Sequence, residues 1–174
     1  LRRPSGGGTV LQGHGCINYS LILEITTELK NLNQTNCYIL QKHREAIQKL
    51  LPQSSIKVQG VSDLCIEDIK FSGNAQRRKK EFILFHGTFL HDFNLNLIEK
   101  FLKMPSKQPE YRKNRDHNSF VANVPLPESD LILSIQKAWK ANKLSDTDKI
   151  GEVKLRMNKL VEEKYSKEDW NLKF

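Results

Sequence analysis

Apolar and polar residues alternate along Tyr19-Ser20-Leu21-Ile22-Leu23-Glu24-Ile25, and an apolar pair, Val10-Leu11, precedes them across Gly13-His14-Gly15. A period of two is that of a strand, so the pattern predicts two strands joined by a glycine turn, the second largely buried. Between Thr35 and Leu51 the period lengthens: Leu40, Ile47, Leu50 and Leu51 fall on one helical face, and Pro52 marks the stop. Short alternating runs return in SIKVQG, DLCI, IKFSGNAQRR and EFILFHGTFL, with Glu67-Asp68 at a hairpin tip. These predict a meander whose turns carry the polar residues. A short helix follows from Asn94 to Lys103, and MPSKQPEYRKNRDHNSF, residues 104–120, reads as a long irregular loop of the kind that covers a site. Leu131, Ile132, Ile135, Ala138 and Trp139 recur at helical spacing after Pro127, and Val153, Met157, Leu160 and Val161 mark a last helix. Neither an internal repeat nor a low-complexity tract is present. The element order predicts an α/β (α+β) fold, a largely antiparallel or mixed sheet flanked by helices.

At 174 residues, 38% of them hydrophobic, the chain supports one core, and residues 1–174 are expected to form a single domain. The excess of 28 Lys and Arg over 20 Asp and Glu, a net charge of +8, favours an anionic partner and leaves nucleic acid, nucleotide and acidic protein open. Cys16, Cys37 and Cys65 are odd in number and lack metal-ligand spacing, which argues against a disulfide framework or a zinc site. Reduced thiols suit a cytosol-like compartment, so a cytoplasmic location is expected. No stretch approaches the ~20 apolar residues of a membrane span, and no membrane partner is expected. Leu1 is not an initiator, so an organelle-targeting peptide ahead of it stays open.

Three clusters carry candidate chemistry. Ser5-Gly6-Gly7-Gly8 follows Arg2-Arg3: consecutive glycines let backbone N–H groups approach an oxyanion, and guanidinium groups add charge. A flexible linker has the same composition, and the P-loop spacing is absent. In the second cluster Lys70 precedes Gly73 and Ala75, small residues that suggest close packing against the backbone beside a cation; a snorkelling surface lysine is the alternative. In the third, His86 and Thr88 flank Gly87 within an apolar strand, either as a satisfied core histidine and its neighbours or as catalytic groups. Cys16, two residues from His14, fits either packing or a thiol nucleophile. Arg77, Arg78, Lys79 and Lys80 lack the interleaved aromatics of single-strand binders, so nucleic acid is not expected; they read as a solvated hairpin end or a docking patch.

Taken in order, RRxSGGGTV, NYS, G-x-S-D-L, K-x-S-G-x-A-Q-R and H-G-T-x-L resemble the lipoate–protein ligase A family of the biotin/lipoyl ligase superfamily over residues 2–90, and EDWNLKF resembles the end of its catalytic domain. The resemblance implies the class II biotin/lipoyl ligase-like fold and a two-step reaction. Lipoate and ATP, with Mg2+, give lipoyl-adenylate and pyrophosphate; the acyl group then passes to a lysine of an acidic lipoyl domain or a glycine-cleavage H-type protein. It further implies that Lys70 is catalytic, holding acyl carbonyl and phosphate oxygens. Arg3, Ser5, Gly6, Gly7 and Gly8 would line the acyl-adenylate, and Ser62 and Asp63 would lie near the adenylate and its magnesium. Gly73 and Ala75 would face adenine or ribose, and His86, Gly87 and Thr88 the acyl pocket and phosphate. Arg77, Arg78, Lys79 and Lys80 would help dock the acceptor.

The family places strands and a helix before RRxSGGG, so the domain is expected to be incomplete on its N-terminal side. Its C-terminal accessory domain is also expected to be absent, and members lacking it can depend on a second polypeptide. Gln12-Gly13-His14-Gly15-Cys16 stands where many ligases have His-Asp-x-Gly-Asn. Two further readings stay open: an ATP-independent octanoyltransferase with a cysteine nucleophile, and a non-catalytic module that binds lipoyl domains. Gly6–Gly8, Lys70 and His86 are expected to converge on one side of the sheet.

Overall fold

A computed structural model describes residues 1–144 and 148–173. The chain divides into two compact units, Ser5–Ala141 and the pair of segments Leu1–Pro4 and Asn142–Phe174.

The larger unit is a five-stranded sheet with helices. Its strands are β1 (Cys16–Glu24), β2 (Ile56–Gln59), β3 (Asp63–Ile66), β4 (Ile69–Arg78) and β5 (Phe82–Leu90), in the spatial order β1-β5-β4-β3-β2. Every pair of neighbours is antiparallel, as the meander predicted. The predicted hairpin tip is at Glu67, whose φ of 51° closes the two-residue turn between β3 and β4. The helix predicted from Thr35 is α1 (Leu32–Leu50), begun earlier because the Asn31 side chain caps it by accepting from the Gln34 N–H. The helices α2 (Asn96–Phe101), α3 (His117–Phe120) and α4 (Glu128–Ala138) follow.

The strand predicted at Val10-Leu11 does not form, and the second predicted strand is not buried on both faces. No strand takes the place beside β1, which is the edge of the sheet, paired with β5 alone, and one face of β1 is turned to solvent. Ile17, Tyr19, Leu21 and Leu23 of β1 pack against the core, whereas Ile22 is 74% exposed.

The inner face of the sheet, turned toward α1 and α4, carries the main core. Leu64, Phe71, Ile83, Phe85 and Phe89 from the strands meet Ile39, Leu40 and Ile47 of α1 and Leu131 of α4, all buried to within 1%. Arg78 and Gln76 also face this layer. The Arg78 guanidinium donates to Thr35 Oγ1 (2.8 Å), Leu29 O (2.7 Å) and Lys30 O (3.0 Å), tying β4 to the start of α1. A second cluster, Phe93, Ile98, Phe120 and Val121 with Leu11, Cys16, Leu90 and Tyr111 against it, gathers the first residue of β1, the last of β5 and residues just outside them in sequence with the segment after β5.

In the smaller unit, α5 (Asp148–Leu160) is the predicted last helix; Val161 falls in the π-helical turn Val161–Tyr165, before α6 (Glu168–Asn171). The Arg2 backbone is held twice, its N–H by Asn171 Oδ1 (2.9 Å) and its carbonyl by Trp170 Nε1 (2.9 Å). Phe174, the last residue of the EDWNLKF tail, lies outside the described residues.

Candidate active site

A β-strand turns alternate side chains to opposite faces, so Lys70 and Gly73 of a regular strand would look away from each other. Here the β3–β4 ladder slips by one residue: Leu64 pairs with Ser72 and Cys65 with Lys70, leaving Phe71 as the extra residue of a bulge. Phe71 enters the core and Lys70 joins the outer face. There its Nζ makes an ion pair with Asp63 Oδ1 at 2.7 Å, and a Cβ built on Gly73 would stand 3.0 Å from the same Nζ. A side chain at Gly73 would push the ammonium aside.

The outer face continues across the next two strands by register. Gly73 pairs with Thr88 and Ala75 with His86, and these pair in turn with Asn18 and Ser20 of β1. The glycine segment attaches here. Ser5 Oγ and His86 Nε2 are hydrogen-bonded at 2.6 Å, and Gln12 Nε2 donates to Thr88 Oγ1 (3.0 Å), which donates to Asn18 Oδ1 (2.6 Å). Residues 5–12 are thereby anchored at both ends to the face that bears Lys70. Gly7 has φ of 100°, a conformation that favours glycine, whereas a Cβ on Gly6 or Gly8 would meet nothing within 4 Å. The space beside these two backbones is open.

The structure thus brings together Ser5, Asp63, Lys70, Gly73, Ala75, His86 and Thr88 on one face, with Gly6, Gly7 and Gly8 on the segment anchored to it. It distributes the other expected residues differently. Gly87 turns inward, opposite Asn74, where a Cβ would collide with Asn74 Oδ1 and crowd the Tyr19 ring. Its small size is demanded by the packing beneath the sheet. Ser62 donates to Asn74 O (2.7 Å) and its carbonyl accepts from Asn74 Nδ2 (2.7 Å), a reciprocal clasp between the start of β3 and β4. Arg3 belongs to the smaller unit, and burial lowers its guanidinium pKa. Of the basic run, Arg77 pairs with Leu84 on the outer face, Arg78 is bonded inward, and Lys79 and Lys80 are exposed.

Sequence reasoning missed Tyr111. Its hydroxyl donates to Asp63 Oδ2 at 2.7 Å from the segment predicted as an irregular loop, which also holds the short helix α3. A lone tyrosine among charged residues gives no signal of this, because the contact spans 48 positions. Just past that segment the chain is also joined to the lysine's own backbone: Ala122 N–H donates to Lys70 O (2.9 Å).

The cysteines are poorly placed for nucleophilic work. Cys65 is buried and its thiol is pushed up to about 11, chiefly by desolvation. Cys16, also raised by burial, packs on the second cluster, and Cys37 is exposed on α1. Gly15 is needed for the turn beside Cys16: its φ is 85° and a Cβ would strike the Asp92 backbone. Among the described residues no group of three or more His, Cys, Asp or Glu is arranged to hold a metal ion. Both Asp63 oxygens are engaged, by Lys70 and Tyr111. No helix among the described residues is long and apolar enough to cross a membrane.

Comparison with known proteins bears on the family and the fold. A probable lipoate-protein ligase A of Mycoplasma pneumoniae is 29% identical, aligned over 98% of this chain and 51% of its own length. The chain therefore spans about half of that relative. An octanoyltransferase, LipM of Bacillus subtilis, is 26% identical over 99% of the chain and 73% of its own length. Among solved structures, a lipoate-protein ligase A bound with ATP superposes with a TM-score of 0.74 at 18% identity, covering 97% of this chain and 70% of that one. The bi-partite lipoate protein ligase of Thermoplasma acidophilum, studied with its E2 lipoyl domain, gives 0.73 at 19% identity, covering 97% and 68%. The sequence profile of the lipoyl protein ligase A/B catalytic domain matches residues 1–130, three quarters of the chain, and the protein belongs to that family.

Proposed function

We propose that the protein activates lipoate with ATP and transfers the acyl group to a lysine of an acidic lipoyl domain or a glycine-cleavage H-type carrier. The observation that carries this reading is the Lys70 ammonium, fixed by Asp63 over Gly73 on the face to which the glycine segment is anchored. In the first step a lipoate carboxylate oxygen attacks the α-phosphorus and pyrophosphate leaves. In the second, the acceptor amine attacks the acyl carbonyl, AMP leaves and the amine gives up a proton. Both steps build negative charge at the linkage between carbonyl and phosphate. A positioned cation there is worth about 3–4 kcal/mol, on the order of a hundredfold to a thousandfold in rate.

The chain's other groups fit supporting roles. Open space where a Cβ would stand on Gly6 and Gly8 lets a ligand approach these backbones closely, and the Ser5–His86 bond ties that segment to the sheet. Ala75, small and on the same face, suits a flat ring against the strand, whereas the space over Gly73 is taken by Lys70. Magnesium, when bound with ATP, neutralises phosphate charge. Asp63, expected near it, has both oxygens taken by Lys70 and Tyr111 and does not fit as its ligand, so substrate oxygens and waters would hold the cation. The bi-partite organisation of the Thermoplasma ligase supports a separate accessory chain as a partner in adenylate formation.

The match to LipM favours one second reading, acyl transfer from a carrier without ATP. Raised thiols at Cys16 and Cys65 weigh against it, since the thiolate is the nucleophile. Two assays decide. Lipoate-dependent exchange of labelled pyrophosphate into ATP supports the ligase; octanoyl transfer from a carrier protein without ATP supports the transferase. Binding of a lipoyl domain with neither activity leaves a non-catalytic module.

A further inference from the structure

We propose that Tyr111 is the positioning residue of this site, its hydroxyl fixing the Asp63 carboxylate so that the carboxylate in turn aims the Lys70 ammonium over Gly73. The proposal deepens the ligase reading and rests on it for the lysine's role. A carboxylate on a short side chain at the start of a strand has rotational freedom, and one contact to a flexible lysine does not fix it. The second contact does: Oδ1 faces Lys70 at 2.7 Å while Oδ2 accepts from the tyrosine at 2.7 Å.

Tyr111 is itself held from several directions. Its ring packs on Phe120 at 5.3 Å and lies against Gly60, where a Cβ would approach to 3.3 Å, and its hydroxyl accepts from Cys65 Sγ at 3.6 Å. The segment that carries it is pinned by two arginines over the Phe120 ring, Arg112 at 4.5 Å and Arg115 at 5.3 Å. Arg115 also donates to the Tyr111 carbonyl and to Asp68 O at 2.9 Å each. Burial and the neighbouring Asp63 charge raise the phenol's pKa, so it stays a proton donor at any working pH. The hydroxyl therefore acts as a fixed point transmitted through Asp63 to the cation.

The test measures the lysine without requiring turnover. The full chain is acetylated at low conversion with N-hydroxysuccinimide acetate, and each lysine's rate is read by peptide mass spectrometry, with Lys57 as internal reference. Tyr111→Phe, which deletes the hydroxyl alone, is expected to raise the Lys70 rate severalfold. Asp63→Asn should do the same, and the double variant should show no more than Asp63→Asn alone, because the two act in series. A space-filling tyrosine would leave the Lys70 rate unchanged on hydroxyl loss, and that result overturns the proposal; so does an additive double variant. If Tyr111→Phe lost its fold, Asp63→Asn with the tyrosine in place would decide, an unchanged Lys70 rate overturning the proposal. In whichever acyl transfer the wild type performs, Tyr111→Phe is further expected to lower kcat with KM for the acyl substrate unchanged. Failure of the ATP-dependent reaction would leave the labelling result readable, so the two readings fail separately.

Discussion

Lys70 and Gly73 stand three residues apart on one strand, yet the ammonium of the first lies against the backbone of the second, because the bulge at Phe71 turns both to the same face. The ion pair to Asp63 holds the lysine in that place. The glycine is thus a measure of where the cation must be.

Gly73→Ala is expected to fold normally, since the new methyl crowds the movable end of a lysine and otherwise meets Asp63 Oδ1 at an ordinary contact distance of 3.9 Å. It should nonetheless slow acyl transfer tenfold or more by displacing the ammonium, an effect of about 1.4 kcal/mol on the barrier. Thermal melting beside single-turnover transfer checks both halves; a normal rate would show that the cation's position does not matter.

Lys70→Ala should abolish most activity, by about a hundredfold to a thousandfold, with its circular dichroism intact. Its side chain is 27% exposed and sits outside the core, so the fold does not rest on it.

Gly87→Ala should do the reverse. The added methyl collides with Asn74 and crowds Tyr19 beneath the sheet, and overpacking of this kind costs about 1–3 kcal/mol. Denaturant titration should show the loss, while activity per folded molecule stays near normal.

His43 makes stability depend on pH. It is fully buried, accepts from Trp139 Nε1 at 2.8 Å, and burial lowers its pKa from 6.5 to about 4. Depressed in the fold, the group favours the neutral form, so its contribution is intact above pH 6.5 and is lost as pH falls toward 4. The unfolded chain takes up the proton and the folded one does not. The full loss is about 3 kcal/mol. Unfolding midpoints of wild type and His43→Asn, followed by Trp139 fluorescence from pH 7.5 to 4.5, should converge as the pH drops; a constant gap would count against the assignment.

Reversing the charge of Lys79 and Lys80 tests acceptor docking. Both are exposed, unlike the inward-bonded Arg78. Modification of an acidic acceptor should slow, most at low salt, while pyrophosphate exchange is unchanged. Equal loss in both half-reactions would place these lysines in the nucleotide site instead.

The order of strands and helices was legible in the sequence because each element's period is local. The alternation of β4 and β5, the helical face of α1 and the hairpin tip at Glu67 depend on neighbours a few residues away, and the ordered motifs pointed to Lys70, His86 and the glycine segment. Contacts between distant segments had no such mark. Whether Tyr19–Ile25 lies inside the sheet or at its edge depends on which strand takes the neighbouring place, and that place stays empty of Val10-Leu11. The inward turn of Gly87, the bulge that swings Lys70 onto Gly73's face and the reach of Tyr111 to Asp63 follow from register between strands and from a loop closing over 48 residues. A one-residue slip in pairing exchanges the faces of a strand, and only the packed sheet fixes which slip occurs.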